Sequence, residues 1–109
     1  MVIDFEKIEQ NIIPNFKGGE KEIALRISDD GVNRILNGRL APGASIGMHT
    51  HEQDSEILFV VEGCGCIVES DGKHPVKQGM CVYCPKGESH SLVNDSQNDL
   101  VFMAVVAKQ

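Results

Sequence analysis

The feature that most constrains this chain is its punctuation: apolar runs of four to eight residues recur along its 109 residues, separated by Gly, Pro and Asp-Gly signals. Ile23, Leu25 and Ile27 alternate with Ala24 and Arg26, the period-2 pattern of a half-buried strand, and Asp29-Asp30-Gly31 supplies a turn before a second run, Val32 to Leu40. Further runs occupy Glu56 to Val61, Cys66 to Ser70, Lys73 to Lys77, Met80 to Cys84, Ser89 to Val93 and Leu100 to Ala107. Asp71-Gly72 reads as a two-residue hairpin turn, and the polar stretch Asn94 to Asp99 as a loop. No helix-length amphipathic pattern lies between these strands. Many short strands with such turns predict an all-β sandwich or barrel, because closure or double layering is how such chains protect their edges. The first 22 residues read separately, as an arm with a loop at Asn15 to Glu20. Asp4 could cap a short helix with Phe5, Ile8 and Ile12 on one face ending before Pro14, and an irregular arm or strand is the alternative. Residues 23–109 form the β domain.

Within this frame, Gly43 to Gly63 carries the chemistry. His49 and His51 are two apart, so on a strand both imidazoles point the same way while Thr50 points the other. After a polar turn the run from Glu56 to Val61 reads as a returning strand, which predicts a hairpin with Glu56 beside the two rings. Downstream a strand ends at Pro85, turns at Gly87 and presents His90, a fourth candidate ligand. Three imidazoles and a carboxylate are borderline-to-hard donors that suit Mn, Fe, Co, Ni or Zn as divalent ions without choosing among them.

These two stretches resemble the two motifs of the cupin superfamily. Gly43, five residues, His49-x-His51, four residues, Glu56, six residues and Gly63 match the first at every spacing. Gly79, five residues, Pro85-x-Gly87, two residues, His90, three residues and Asn94 match the second, and the fifteen-residue spacer is similar to that of compact single-domain microbial members. The resemblance implies a double-stranded β-helix, or jelly-roll barrel, with one divalent metal ion per chain held by His49, His51, Glu56 and His90. It also implies a small oxygen-rich ligand such as a carboxylate, keto acid or sugar derivative. The superfamily includes dioxygenases, decarboxylases, isomerases, lyases and non-catalytic binding or sensor modules, so fold and ligand set leave the reaction open and name no catalytic residue.

Other features bound the reading. A net charge of −6 with no Lys/Arg cluster excludes a nucleic-acid face. No basic start with an apolar core, and no apolar run near the ~20 residues that span a bilayer, is present, so a cytoplasmic chain without membrane contact is expected. The four cysteines are then reduced thiols. Cys64 and Cys66 share a strand face, but Cys81 and Cys84 point to opposite faces and could not close one zinc tetrahedron. His74, outside both motifs, reads as a surface residue. Arg39 and Tyr83 are candidate substrate contacts if they face inward. Strand parity turns Glu56, Leu58 and Val60 inward and leaves Ile57, Phe59 and Val61 on an apolar outer face, which a two-fold partner would cover, so a homodimer is expected.

Overall fold

The computed structural model describes residues Met1–Gln109. Ten strands follow in order: β1 (Asn11–Pro14), β2 (Glu22–Asp29), β3 (Asn33–Leu40), β4 (His49–Thr50), β5 (Asp54–Glu62), β6 (Cys64–Glu69), β7 (Gly72–Lys77), β8 (Cys81–Cys84), β9 (Ser89–Val93) and β10 (Leu100–Lys108). They form a six-stranded sheet in the order β1-β2-β3-β10-β5-β8 and a four-stranded sheet in the order β4-β9-β6-β7, every pairing antiparallel. Chain neighbours such as β4 and β5 sit in different sheets, as in a double-stranded β-helix. The expected all-β jelly roll is observed.

Alternation decides what is buried. In β5, Glu56, Leu58 and Val60 are buried while Ile57, Phe59 and Val61 are exposed. Register extends this parity across the large sheet, so that Ile27, Leu36, Ala104, Leu58 and Val82 form one inward rung. With Ile23, Leu25, Leu40, Leu100 and Phe102, and with Ile67, Val76 and Leu92 from the facing sheet, these residues make one continuous core. Each fully buried Leu, Ile or Phe in it contributes about 2 kcal/mol relative to exposure. Gly63 allows the chain to leave β5 for β6: it has φ +84°, and a Cβ there would lie 2.3 Å from the Asp99 carbonyl oxygen.

Two local expectations are corrected, and the choice left open at the N-terminus is decided. The stretch from His49 to Val61 is not a hairpin, because β4 pairs with β9, bringing His49 opposite His90, while β5 pairs with β10 and β8. A two-residue β4 has too little ladder to hold β5 in its own sheet; the intervening turn crosses the barrel instead. The β6–β7 turn is Ser70-Asp71, since Glu69 pairs with Gly72, and the glycine's φ of +125° closes the turn from the first position of the strand. At the N-terminus Asp4 does cap, its Oδ1 accepting from the Glu6 N–H at 3.1 Å, but the result is a single 3₁₀ turn, Phe5–Lys7. Arg26 captures the Phe5 and Ile8 carbonyls at 2.8 and 3.1 Å, and Ile12 and Ile13 join the edge of β2 as β1. The ladder offered by β2 outweighs the weak helical tendency of a segment this short. No helix is long and apolar enough to cross a membrane.

Candidate metal centre

Three strands and the residue that follows one of them converge at one end of the barrel. β4 supplies His49, the residue after it is His51, β5 supplies Glu56 and β9 supplies His90. One ligand atom from each lies within 4.8 Å of all the others, and this cluster could hold a metal ion. His51, Glu56 and His90 are buried and His49 is half-buried. The rings meet edge to face, with centroids 4.8 to 4.9 Å apart. The centre therefore joins the two sheets, because His49 and His90 come from one and Glu56 from the other.

Second contacts fix which nitrogen each ring turns inward. The Gly47 carbonyl oxygen, 2.7 Å from His49 Nδ1, can only accept, so that nitrogen carries the hydrogen and Nε2 is left with a lone pair. Burial lowers the affinity of His49 for a second proton, which keeps the ring neutral. Asp54 Oδ1, 2.6 Å from His51 Nδ1, holds the second ring in the same way. His51 Nε2 then stands 3.0 Å from His90 Nε2, and His90 Nε2 is 2.8 Å from Glu56 Oε1. When His51 is neutral, its Nε2 and that of His49 present lone pairs, and together with the Glu56 carboxylate and His90 they surround one point. Such an electron-rich focus fits a cation, and a separation of 3.0 Å between two nitrogens suits neighbouring donors on one ion, whose bonds to nitrogen run to about 2.1 Å. His90 Nδ1 is buried with no hydrogen-bond partner, so its tautomer is free to follow what its Nε2 meets.

In the unliganded cluster the charges follow from the same contacts. The hydrogen bond to Glu56 raises the His51 imidazole above its usual value; burial opposes this, and Asp54 adds to the rise. Burial alone would push the Glu56 carboxyl up, but the hydrogen bonds from His51 and His90 outweigh it and bring it down to about 2. Glu56 is therefore ionised and committed to its neighbours. Cys84, next to Glu56 across the ladder, has its thiol pushed up to about 11 by burial and directed to the Glu88 carbonyl oxygen, so it is neither a thiolate ligand nor a nucleophile.

Above the cluster a cleft of about 130 Å³ opens, lined among others by Phe16, Lys17, Arg34, Thr50, Asp54 and Val106. Behind His49, Glu56 and His90 lies an apolar recess of about 30 Å³ against Leu36, Leu58, Leu92 and Phe102. A site of this size takes a small molecule. Residues 16–18 wall the cleft because Gly47 lets them approach: a Cβ there would lie 2.0 Å from the Lys17 carbonyl oxygen. Gly47 N–H donates to the Phe16 carbonyl oxygen at 3.0 Å.

Of the residues singled out from sequence, His49, His51, Glu56 and His90 are brought together, whereas Arg39 and Tyr83 are not. Arg39 has outward parity, is exposed, and pairs with Asp99 at 2.8 Å. Tyr83 is 58% exposed beside Ile57 on the outer face of β8. Each stands one residue out of phase with an inward neighbour, Leu40 and Cys84 respectively. Asp54, Lys17 and Arg34 are cleft residues that the sequence reading passed over. Arg34 shares the parity of Leu36 and Leu40, which was a readable signal; the approach of Lys17 is a tertiary contact with none.

Comparison with known proteins agrees with this geometry. The cupin domain family model matches residues 38–106. An oxalate-binding protein of Thermotoga maritima is 33% identical over 97% of this chain and 93% of its own length. The crystal structure of a predicted oxalate decarboxylase, also from Thermotoga maritima, superposes with a TM-score of 0.93 at 30% identity over the full length of both chains. The polyketide cyclase RemF of Streptomyces resistomycificus, at 23% identity and a TM-score of 0.83 over all of this chain and 80% of its own, shares the fold. With its two motifs folded into one four-donor cluster inside a jelly-roll barrel, the chain belongs to the cupin family.

Proposed function

We propose that this protein binds a divalent transition-metal ion through His49, His51, Glu56 and His90 and uses it to hold a small chelating carboxylic acid, with oxalate the first candidate. The observation that carries this reading is the convergence of four donors: one nitrogen from each of three imidazoles and one carboxylate oxygen lie within 4.8 Å of one another, with His51, Glu56 and His90 buried. The names of the two Thermotoga maritima relatives support the choice of oxalate. When bound, such an ion supplies Lewis acidity to a carboxylate or carbonyl oxygen. The chain's own residues orient and exclude. Asp54 and Gly47 hold two rings in the required tautomer, and Leu36, Leu58, Leu92 and Phe102 keep the inner side of the site dry.

Turnover and simple binding both fit this site, and one feature favours binding. The two carboxylates that line the cleft, Asp54 and Glu56, are already engaged by His51 and His90, so no free general base stands over a ligand. Titration calorimetry of oxalate into protein loaded with Mn, Fe, Co, Ni or Zn, with ¹³C NMR following the oxalate carbon, tests both. Metal-dependent binding with intact oxalate identifies a binding module, and loss of oxalate an enzyme. Absence of binding with all five ions would sink the proposal.

We also propose that the chain works as a homodimer in a reducing, cytoplasmic setting. Four free thiols, two of them exposed, suit that compartment. The outer sheet face carries exposed Ile57, Phe59, Val61 and Tyr83, while the N-terminal turn is held at Arg26. A two-fold axis through Phe59 makes such a patch self-complementary. Light scattering should give the dimer mass for the native chain and the monomer mass for Phe59→Glu.

A further inference from the structure

We propose that Arg34, with Lys17, makes the cleft selective for ligands carrying an anionic group beyond the two oxygens that chelate the metal. This rests on the chelating-acid reading above and adds the ligand's class: an α-hydroxy or α-keto dicarboxylic acid rather than its monocarboxylic counterpart.

The argument begins with register. Asp29, Arg34, Val106 and Glu56 form one rung across β2, β3, β10 and β5, and Arg34 has the inward parity of Leu36 and Leu40. Two strand spacings separate Arg34 from Glu56, so their Cα atoms are roughly 10 Å apart with only the small Val106 between them. Arg34 therefore lines the same cleft as the metal cluster, with its side chain 53% exposed. It is held at one corner, where Nε donates to Asp29 Oδ2 at 3.0 Å, while its two terminal nitrogens make no hydrogen bond. A guanidinium presented this way offers a planar fork suited to a carboxylate.

Asp29 pairs with the guanidinium through Nε and offsets part of its charge, but it leaves both terminal nitrogens open. Asp29 is committed on its other oxygen to the Gly31 N–H at 2.8 Å, and Asp54 is held by His51 at 2.6 Å. Lys17 adds a second positive charge at the rim. Its backbone has the left-handed φ of 55° and packs directly on Gly47, two residues before His49, so the loop that carries it is fixed to the segment leading into β4. A chelating monoanion would satisfy an ion and leave the Arg34 fork facing water. A second carboxylate satisfies both.

Malate and lactate make a matched pair, sharing one α-hydroxy carboxylate and differing by one further carboxylate. Calorimetry on metal-loaded protein should show malate bound more tightly. Arg34→Gln should weaken malate about ten-fold and leave lactate unchanged. Arg34→Lys should recover part of the loss, and Lys17→Gln should show a smaller loss that fades with added salt. Equal weakening of both acids by Arg34→Gln, or equal binding of both by the native protein, overturns the inference. Oxalate binding with malate excluded also overturns it while leaving the chelating-acid reading intact. No binding of oxalate, malate or lactate with any of the five ions brings down that reading and the inference together.

Discussion

Two buried polar sites lie on the inner side of the same strand and its immediate continuation, and they differ in how fully their hydrogen bonds are met. Asn94, just past the far end of β9, is wholly buried and satisfied: Nδ2 donates to the Leu40 and Asn98 carbonyl oxygens, both at 2.8 Å, and Oδ1 accepts from the Ser96 N–H and hydroxyl at 3.0 and 2.7 Å. Its backbone closes the ring, donating to Ala44 and accepting from Gly43, both at 2.9 Å. His90, four residues earlier and about 13 Å along the strand, has a buried Nδ1 with no partner and an Nε2 crowded by His51 and Glu56. A satisfied buried network specifies structure, whereas a buried polar atom left without a partner is costly unless something binds there. The two cupin motifs thus divide by role, with Gly43 and Asn94 tying off one end of the barrel and His49, His51, Glu56 and His90 preparing the other.

The largest effects should come from exchanging these roles. Asn94→Ala strands the Leu40 and Asn98 carbonyl oxygens and the Ser96 donors in a buried pocket, and should cost about 3 kcal/mol of stability in urea denaturation. Metal bound per folded molecule should stay at the native level. His49→Ala should do the reverse. His49 is half-buried and its one hydrogen bond is to the Gly47 carbonyl, so unliganded stability changes little. Metal affinity should fall by at least about 100-fold, since even the outer partners of metal ligands are worth 10–100-fold. If Asn94→Ala lost its metal while remaining folded, or His49→Ala unfolded, the division would be wrong.

That division explains what could be read from the residues alone. Parity in β5 and the spacing within the two motifs marked the four candidate ligands that the fold brings together and the inward residues Leu58 and Val60, because alternation along a strand is local. Which strands lie side by side is not local. His49 sits opposite His90 across a ladder between residues 41 positions apart, so a hairpin between β4 and β5 was the natural but incorrect reading. Arg39 and Tyr83 failed for a related reason: each borders an inward residue, and an error of one position reverses the face. The N-terminal segment held signals for both a capped turn and a strand. Its outcome depended on Arg26, far away in the chain, reaching the Phe5 and Ile8 carbonyls.

Acid and base should act oppositely on the unliganded and metal-bound forms, with an effect up to about ten-fold in metal affinity per pH unit for each proton displaced. In the unliganded protein His51 is raised above its unfolded value of 6.5. Its stabilising contribution is therefore fully present below 6.5 and is lost as pH rises through the higher folded value. Glu56, lowered from 4.5 to about 2, contributes above 4.5 and loses that contribution as pH falls through about 2. A bound cation requires His51 to be neutral, so it favours the upper side of the His51 transition. At fixed free metal, the difference in melting temperature between metal-saturated and chelator-treated protein should widen from about pH 6 to about pH 8. A constant difference across that range would mean that no histidine proton is exchanged for the ion.

The smallest effect tests the rim, where the cluster meets solvent. Asp54 is about a third exposed and touches the cluster only through His51 Nδ1, so its charge is partly screened. Asp54→Asn keeps an oxygen that can accept from His51 Nδ1–H, and with it the tautomer and the ring angle, but removes the charge. Metal affinity should drop about ten-fold with stability almost unchanged. Asp54→Ala frees the ring as well and should bind more weakly than Asn. The ¹⁵N shifts of His51 separate the two causes, because the Asn variant should keep the hydrogen on Nδ1 while the Ala variant should mix tautomers. Native affinity in Asp54→Asn together with weak binding in Asp54→Ala would make Asp54 a clamp for the ring alone. Equal losses in both would mean that it acts through its charge, and the rim would then share in the electrostatics of the buried cluster rather than merely aim it.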